Sequence, residues 1–139
     1  MPAEVVIDAS VAVKCFVIEK DSDAALEAVL DAGWVIAPEF IHVEIASVAA
    51  KRLKRGDISE AVARDCVSKL DTILNDVFPA APLAPRAFEF ATHNGFSAYD
   101  GLYLALAEER HVRVLTADER LVRRATAADL GHLVALLQA

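Results

Sequence analysis

The chain has 139 residues, of which 55% are hydrophobic, and carries a formal net charge of −7 with a mean hydropathy of +0.36. That length suits one domain, residues 1–139, with a sizeable core. No apolar stretch runs unbroken for the roughly 20 residues a bilayer needs, and the acidic balance excludes nucleic-acid binding by bulk electrostatics alone.

Val5, Val6 and Ile7 form a continuous β-branched run that predicts a strand buried on both faces, and Asp8 ends it. A helix is expected over 9–17, a second over 22–33, and a short strand over 34–36. Pro38 fits the first turn of the next helix. That helix carries Phe40, Ile41, Ile45 and Val48 on one apolar stripe and stops at Gly56. Asp57-Ile58-Ser59-Glu60 resembles a capping box opening a helix to about residue 74. Val77-Phe78 predicts a minor strand before a proline-rich turn. Helices follow over 85–94, closed by Gly95, and over 97–110. A strand over 112–115, a short helix after Asp118 and a strand over 132–137 complete the chain. Strands separated by helices mean an α/β sheet with parallel pairing.

Met1-Pro2-Ala3-Glu4 has no basic region ahead of an apolar segment, so no signal peptide is expected. Cys15 and Cys66 are far apart, which in a reducing cytoplasm predicts two free, partly buried thiols. No histidine stands at a spacing that would complete a zinc site with them. The high apolar content beyond a dense core points to surfaces that meet a partner. Two basic clusters stand out: Lys51, Arg52, Lys54 and Arg55, and then Arg120, Arg123 and Arg124. Each reads first as a solvated helix face, the first complementing a helix C-terminus. Both are also candidates for phosphate contact.

Three acids recur in comparable places. Asp8 follows the first strand, Asp118 follows the strand in "VRVLTAD", and Asp100 lies in the first turn of "SAYDGLYLALAEER". Loops at the carboxyl ends of strands form the ligand crevice of an open α/β sheet, so Asp8 and Asp118 belong on one side of it. Singly, each acid is explained as well by capping a helix; Asp100 stands three residues after Ser97, at the capping-box position. Glu44 is different. It shares a helical stripe with Phe40 and Val48, and no Lys or Arg lies three or four residues away to pair with it. A divalent cation would supply the missing partner. Four clustered carboxylates repel one another unless such an ion neutralises them, and oxygen-only ligands suit Mg²⁺ or Mn²⁺. A site of this kind can activate water and stabilise charge on a phosphodiester. The hydroxyls of Ser10 and Thr116 are placed to hydrogen-bond the acids, or equally to cap helices.

"VVIDASVAVKCFV", "APEFIHVEIASV", "GFSAYDGLYLALAEE" and "VLTADERL" together resemble the PIN-domain ribonucleases, specifically the VapC toxins of toxin–antitoxin pairs. The likeness spans nearly the whole chain in order and spacing. It implies a three-layer α/β/α PIN-like fold with a mainly parallel central sheet of four to five strands. It also implies Mg²⁺- or Mn²⁺-dependent RNA cleavage leaving a 5′-phosphate and a 3′-hydroxyl, with acids at positions matching Asp8, Glu44, Asp100 and Asp118. A homodimer and a VapB-type antitoxin that covers the groove are implied as partners, and the cytoplasm as location. Two positions depart from the pattern: Ser47 stands where many relatives carry Asn, and Cys15 where an aromatic is common.

Other chemistries fit less well. A haloacid-dehalogenase-type phosphatase needs a second Asp where Ser10 stands, and a receiver domain needs paired early acids and a late Lys that "HLVALLQA" lacks. No Gly-x-Ser-x-Gly elbow exists for serine hydrolysis. His42, His93, His111 and His132 are scattered and read as ordinary residues. The alternative from another class is a non-catalytic partner-binding protein, its acidic pocket receiving antitoxin arginines in a DNA-binding complex.

Overall fold

Five short strands form one parallel sheet in the computed structural model, which describes residues 3–138; Met1 and Pro2, at the head of the stretch read for a leader, and Ala139 lie outside it. The strands are β1 (Glu4–Ile7), β2 (Trp34–Pro38), β3 (Asp76–Phe78), β4 (Val114–Thr116) and β5 (Val134–Leu136). Their order is β3-β2-β1-β4-β5, and every pairing is parallel. β1 is therefore central, as its β-branched run requires: Val6 and Ile7 are fully buried. Seven helices complete an α/β/α arrangement: α1 (Ala9–Lys14), α2 (Ser22–Asp31), α3 (Ile41–Lys54), α4 (Glu60–Ser68), α5 (Ala84–Asn94), α6 (Ala98–Arg110) and α7 (Glu119–Ala127).

α6 carries seven consecutive buried residues, from Gly101 to Ala107, and packs on β1, β2 and β4. A helix apolar on all sides has to lie inside the fold. It also packs closely on α5. A Cβ placed on Gly101 would come within 2.8 Å of the Ala87 carbonyl oxygen, so only glycine admits this approach. α3 buries Ile41, Ile45 and Ala49 and ends at Gly56, whose φ of +78° lets the Asp57 N–H reach the Arg52 carbonyl at 2.9 Å.

Several boundaries differ from the sequence expectation. Pro38 closes β2 rather than opening a helix; β1 pairs with β2 only as far as Ile36, so at Pro38 no ladder bond is lost on that side. The first helix stops at Lys14, the second at Asp31, and the fourth at Ser68, beyond which Leu70–Thr72 form a 3-10 turn. Ser59, not Asp57, caps α4, its hydroxyl accepting from the Val62 N–H at 3.2 Å. The final expected strand begins as a 3-10 turn over Gly131–Leu133, and only Val134–Leu136 pair. Among the described residues, no helix is long and apolar enough to cross a membrane.

Candidate active site

The strand order reverses between β1 and β4, which makes their carboxyl ends the natural crevice of the sheet. Asp8 leaves β1 there and Asp118 leaves β4. Each caps the helix that follows: Asp8 Oδ1 accepts from the Val11 N–H at 3.2 Å, and Asp118 Oδ1 accepts from the Arg120 N–H at 2.9 Å. Glu44 and Asp100 stand in the first turns of α3 and α6. All four acids thus sit at helix N-termini, where the helix dipole favours negative charge.

Asp8 is the most confined. The Ser10 hydroxyl donates to its Oδ1 at 2.5 Å and the Thr116 hydroxyl to its Oδ2 at 2.5 Å, so one oxygen is held from α1 and the other from β4. The two hydroxyls are fixed in turn. Ser10 Oγ accepts from the Ala117 N–H at 2.8 Å, and Thr116 Oγ1 accepts from the Asp118 N–H at 3.1 Å. Ser10 and Thr116 therefore tie Asp8 to the start of the loop bearing Asp118. Burial pushes the Asp8 carboxyl up to about 6 despite these donors, with the Glu44 charge adding to the rise.

Glu44 is half-buried and finds one partner: the Tyr103 hydroxyl donates to its Oε1 at 2.6 Å. Burial raises its carboxyl above the usual range, the Tyr103 bond opposes this, and the Asp100 charge reinforces it. Asp100 is raised by burial and then by Asp118, while Ser97 and Arg124 pull the other way. The Ser97 hydroxyl caps α6 by accepting from the Asp100 N–H at 3.0 Å, which leaves the Asp100 carboxylate free of capping duty. The acids thus interact in sequence, Asp8 with Glu44, Glu44 with Asp100, and Asp100 with Asp118.

Among the described residues, Asp8 and Glu44 have no Lys or Arg to offset their charge. The site's donors are carboxylate oxygens alone, the set that suits a hard divalent cation. Among the described residues, no three His, Cys, Asp or Glu side chains come close enough to enclose an ion. The acids form an open row, so the fit to Mg²⁺ or Mn²⁺ rests on donor chemistry and mutual repulsion.

A family model described as PIN domain matches residues 5–127. The chain belongs to the PIN domain family. Ribonuclease VapC1 of Mycobacterium tuberculosis is 30% identical over 121 residues, covering 85% of this chain and 88% of that protein, which places this PIN domain among the VapC ribonucleases. Two solved structures share its fold. VapC20 of Mycobacterium tuberculosis, described as a sarcin-ricin loop cleaving toxin, superposes with a TM-score of 0.69 at 15% identity, over 88% of this chain and 94% of that one. VapBC2 of Rickettsia felis, bound to a DNA fragment from its promoter, gives 0.66 at 11% identity, over 97% and 99%.

Tyr103 is the site residue that the PIN-domain sequence did not announce. It is 2% exposed, and its hydroxyl is held up toward the neutral form by burial and by the Glu44 charge. The available signal was its place three residues after Asp100, on the same helix face. The two departures lie apart from the acids' hydrogen bonds. Ser47 is exposed on α3, and Cys15 is a half-buried thiol at the end of α1, pushed up to about 11 by burial. Both cysteines are free, Cys66 fully buried. Among the described residues, the four histidines hydrogen-bond none of the four acids; His42, for one, bonds Asp71 at 2.7 Å.

Proposed function

We propose that this protein is a Mg²⁺- or Mn²⁺-dependent endoribonuclease acting as the toxin of a toxin–antitoxin pair. The observation that carries the reading is the row of Asp8, Glu44, Asp100 and Asp118 at the reversal point of a parallel sheet, with Asp8, Glu44 and Asp100 all raised by burial and by a neighbouring acid. A divalent ion bound by these carboxylates supplies Lewis-acid activation of water and offsets charge on the phosphodiester.

The chain's own groups prepare that chemistry. Ser10 and Thr116 hold both oxygens of Asp8 in one orientation, so its position is set before any ligand arrives. Tyr103 holds Oε1 of Glu44, which limits how that carboxylate can turn. Asp100 and Asp118 are only partly buried and border an open cavity, the side from which a phosphodiester can approach. The resemblance to PIN-domain ribonucleases implies that the bond to the 3′ oxygen breaks, leaving a 5′-phosphate and a 3′-hydroxyl.

As a member of the VapC group it acts in the cytoplasm as a homodimer, with a VapB-type antitoxin covering the groove. The promoter-bound VapBC2 complex of Rickettsia felis supports that partnership. Exposed apolar side chains such as Leu30, Val43, Phe88 and Tyr99 supply surface for such contacts. The test is end-mapping of a structured RNA pool incubated with antitoxin-free protein and Mn²⁺, with and without EDTA. Fragments with 5′-phosphates that disappear with EDTA are expected. Intact RNA alongside tight antitoxin binding would favour the binding-only role.

A further inference from the structure

Two carboxylates of the site share a cavity with two arginines. A pocket of about 180 Å³ is lined by Asp100, Asp118, Arg120, Leu121 and Arg124. Arg120 and Arg124 are four residues apart on α7 and so occupy one face, while Leu121 and Ala125 beside them are buried and fix the helix against the core. Neither arginine is consumed by its neighbours. Arg120 Nε lies 3.9 Å from Asp118 Oδ1 with its side chain 86% exposed, and Arg124 makes no ion pair among the described residues.

The other cations are placed differently. Arg123 points round the helix to Glu119, at 3.8 Å. In the first basic cluster, Arg52 bonds Glu19 at 2.8 Å and Arg55 lies 3.1 Å from Asp57. That cluster also occupies the end of α3 opposite Glu44, about 10 Å or more along the axis at 1.5 Å per residue. Of the two clusters read in the sequence, one therefore faces the acids, and within it two of three arginines.

A polyanion approaching four carboxylates on a chain of charge −7 meets repulsion unless cations stand beside the site. Guanidinium groups suit that task, since their planar fork grips phosphate oxygens in pairs. We propose that Arg120 and Arg124 form a phosphate clamp, gripping the RNA backbone beside the scissile bond and setting which phosphodiester reaches the carboxylates. The clamp rests on the ribonuclease reading above.

The test is fluorescence anisotropy with a fluorescein-labelled single-stranded oligouridylate in Mg²⁺, using Asp8→Asn so that the RNA stays whole. Adding Arg120→Ala and Arg124→Ala should weaken binding at least about tenfold. It should also make the fall of log affinity with log salt shallower by about 1.4, at roughly 0.7 per phosphate released on a single strand. Adding Arg123→Ala instead should change binding less than about twofold, and melting curves should match for all variants, since these arginines are exposed. Equal binding with and without the pair would overturn the clamp, as would an equal loss from Arg123→Ala, which would indicate bulk charge. If the unsubstituted protein cuts RNA while either of those results holds, the clamp alone fails. If it neither cuts RNA nor, as Asp8→Asn, binds it, the ribonuclease reading fails with the clamp.

Discussion

The Tyr103 hydroxyl donates to Glu44 Oε1 at 2.6 Å, joining α6 to α3 across 59 residues of chain and fixing a half-buried acid that has no Lys or Arg three or four residues away. Tyr103→Phe keeps the ring in the core and removes only the donor. A hydrogen bond to a charged group contributes about 1.5–3 kcal/mol, so melting should fall by several degrees. Because the Tyr103 bond lowers the Glu44 carboxyl, its loss should raise that group further. The pH midpoint for Mn²⁺ uptake, followed by calorimetry, should then move upward. An unchanged midpoint would mean that Glu44 takes no part in holding the ion.

Acid burial makes stability fall with rising pH in metal-free protein. The Asp8 carboxyl titrates at about 6 when folded, against an ordinary value of 3.8, so the native state holds the proton more tightly. Its contribution is full below about pH 4 and lost as pH rises through 6, on the order of 3 kcal/mol. Glu44 and Asp100 shift in the same direction. Denaturant unfolding between pH 4 and 8 in EDTA should show this decline, and Asp8→Asn should flatten it. A rise in stability over the same window would contradict the burial of these acids.

Divalent ions should reverse that loss. Ligand at a hundredfold over its Kd stabilises the folded state by about 2.7 kcal/mol. Thermal melting at pH 7.5 should rise on adding Mn²⁺ or Mg²⁺ and not with NaCl of equal ionic strength. The same addition to Asp8→Asn should give much less.

Gly101→Ala should disturb the site through packing. The added Cβ would stand 2.8 Å from the Ala87 carbonyl oxygen, and backbone on both helices must move to admit it. Overpacking of this kind costs about 1–3 kcal/mol, and Asp100 is the adjacent residue. A variant with unchanged melting temperature would show that α5 and α6 separate easily.

The architecture was legible where local signals were strong. The β-branched run before Asp8 and the acids after two strands predicted the sheet's open edge, because a parallel strand must be buried on both faces and its carboxyl end must face the crevice. Glu44 stood out because its stripe offered no cation, and the partner that the structure gives it is the Tyr103 hydroxyl. Pro38 misled because the same fixed φ that suits a helix start is tolerated where a strand has outrun its neighbour. Asp57 misled because Ser59, two residues on, is an equally good cap. The Tyr103–Glu44 bond depends on tertiary distance, which spacing along the chain does not encode, whereas the Arg123–Glu119 pair is a contact four residues apart on one helix that spacing does encode. Asp8 and Asp118 do cap helices, and both stand where their strands leave the sheet.

On the proposed function, RNA cleavage depends on this row of acids. The most direct measurement compares RNA cleavage by antitoxin-free protein and by folded Asp100→Asn, each in Mn²⁺ and in EDTA. Asp100 carries no cap that folding needs, since Ser97 caps α6, so the variant should fold and lose at least about a hundredfold in rate, as removal of a group stabilising the transition state does. Cleavage in Mn²⁺ by the unsubstituted protein alone is the predicted result. Equal cleavage by Asp100→Asn, or cleavage that survives EDTA, would mean that the activity does not come from these carboxylates.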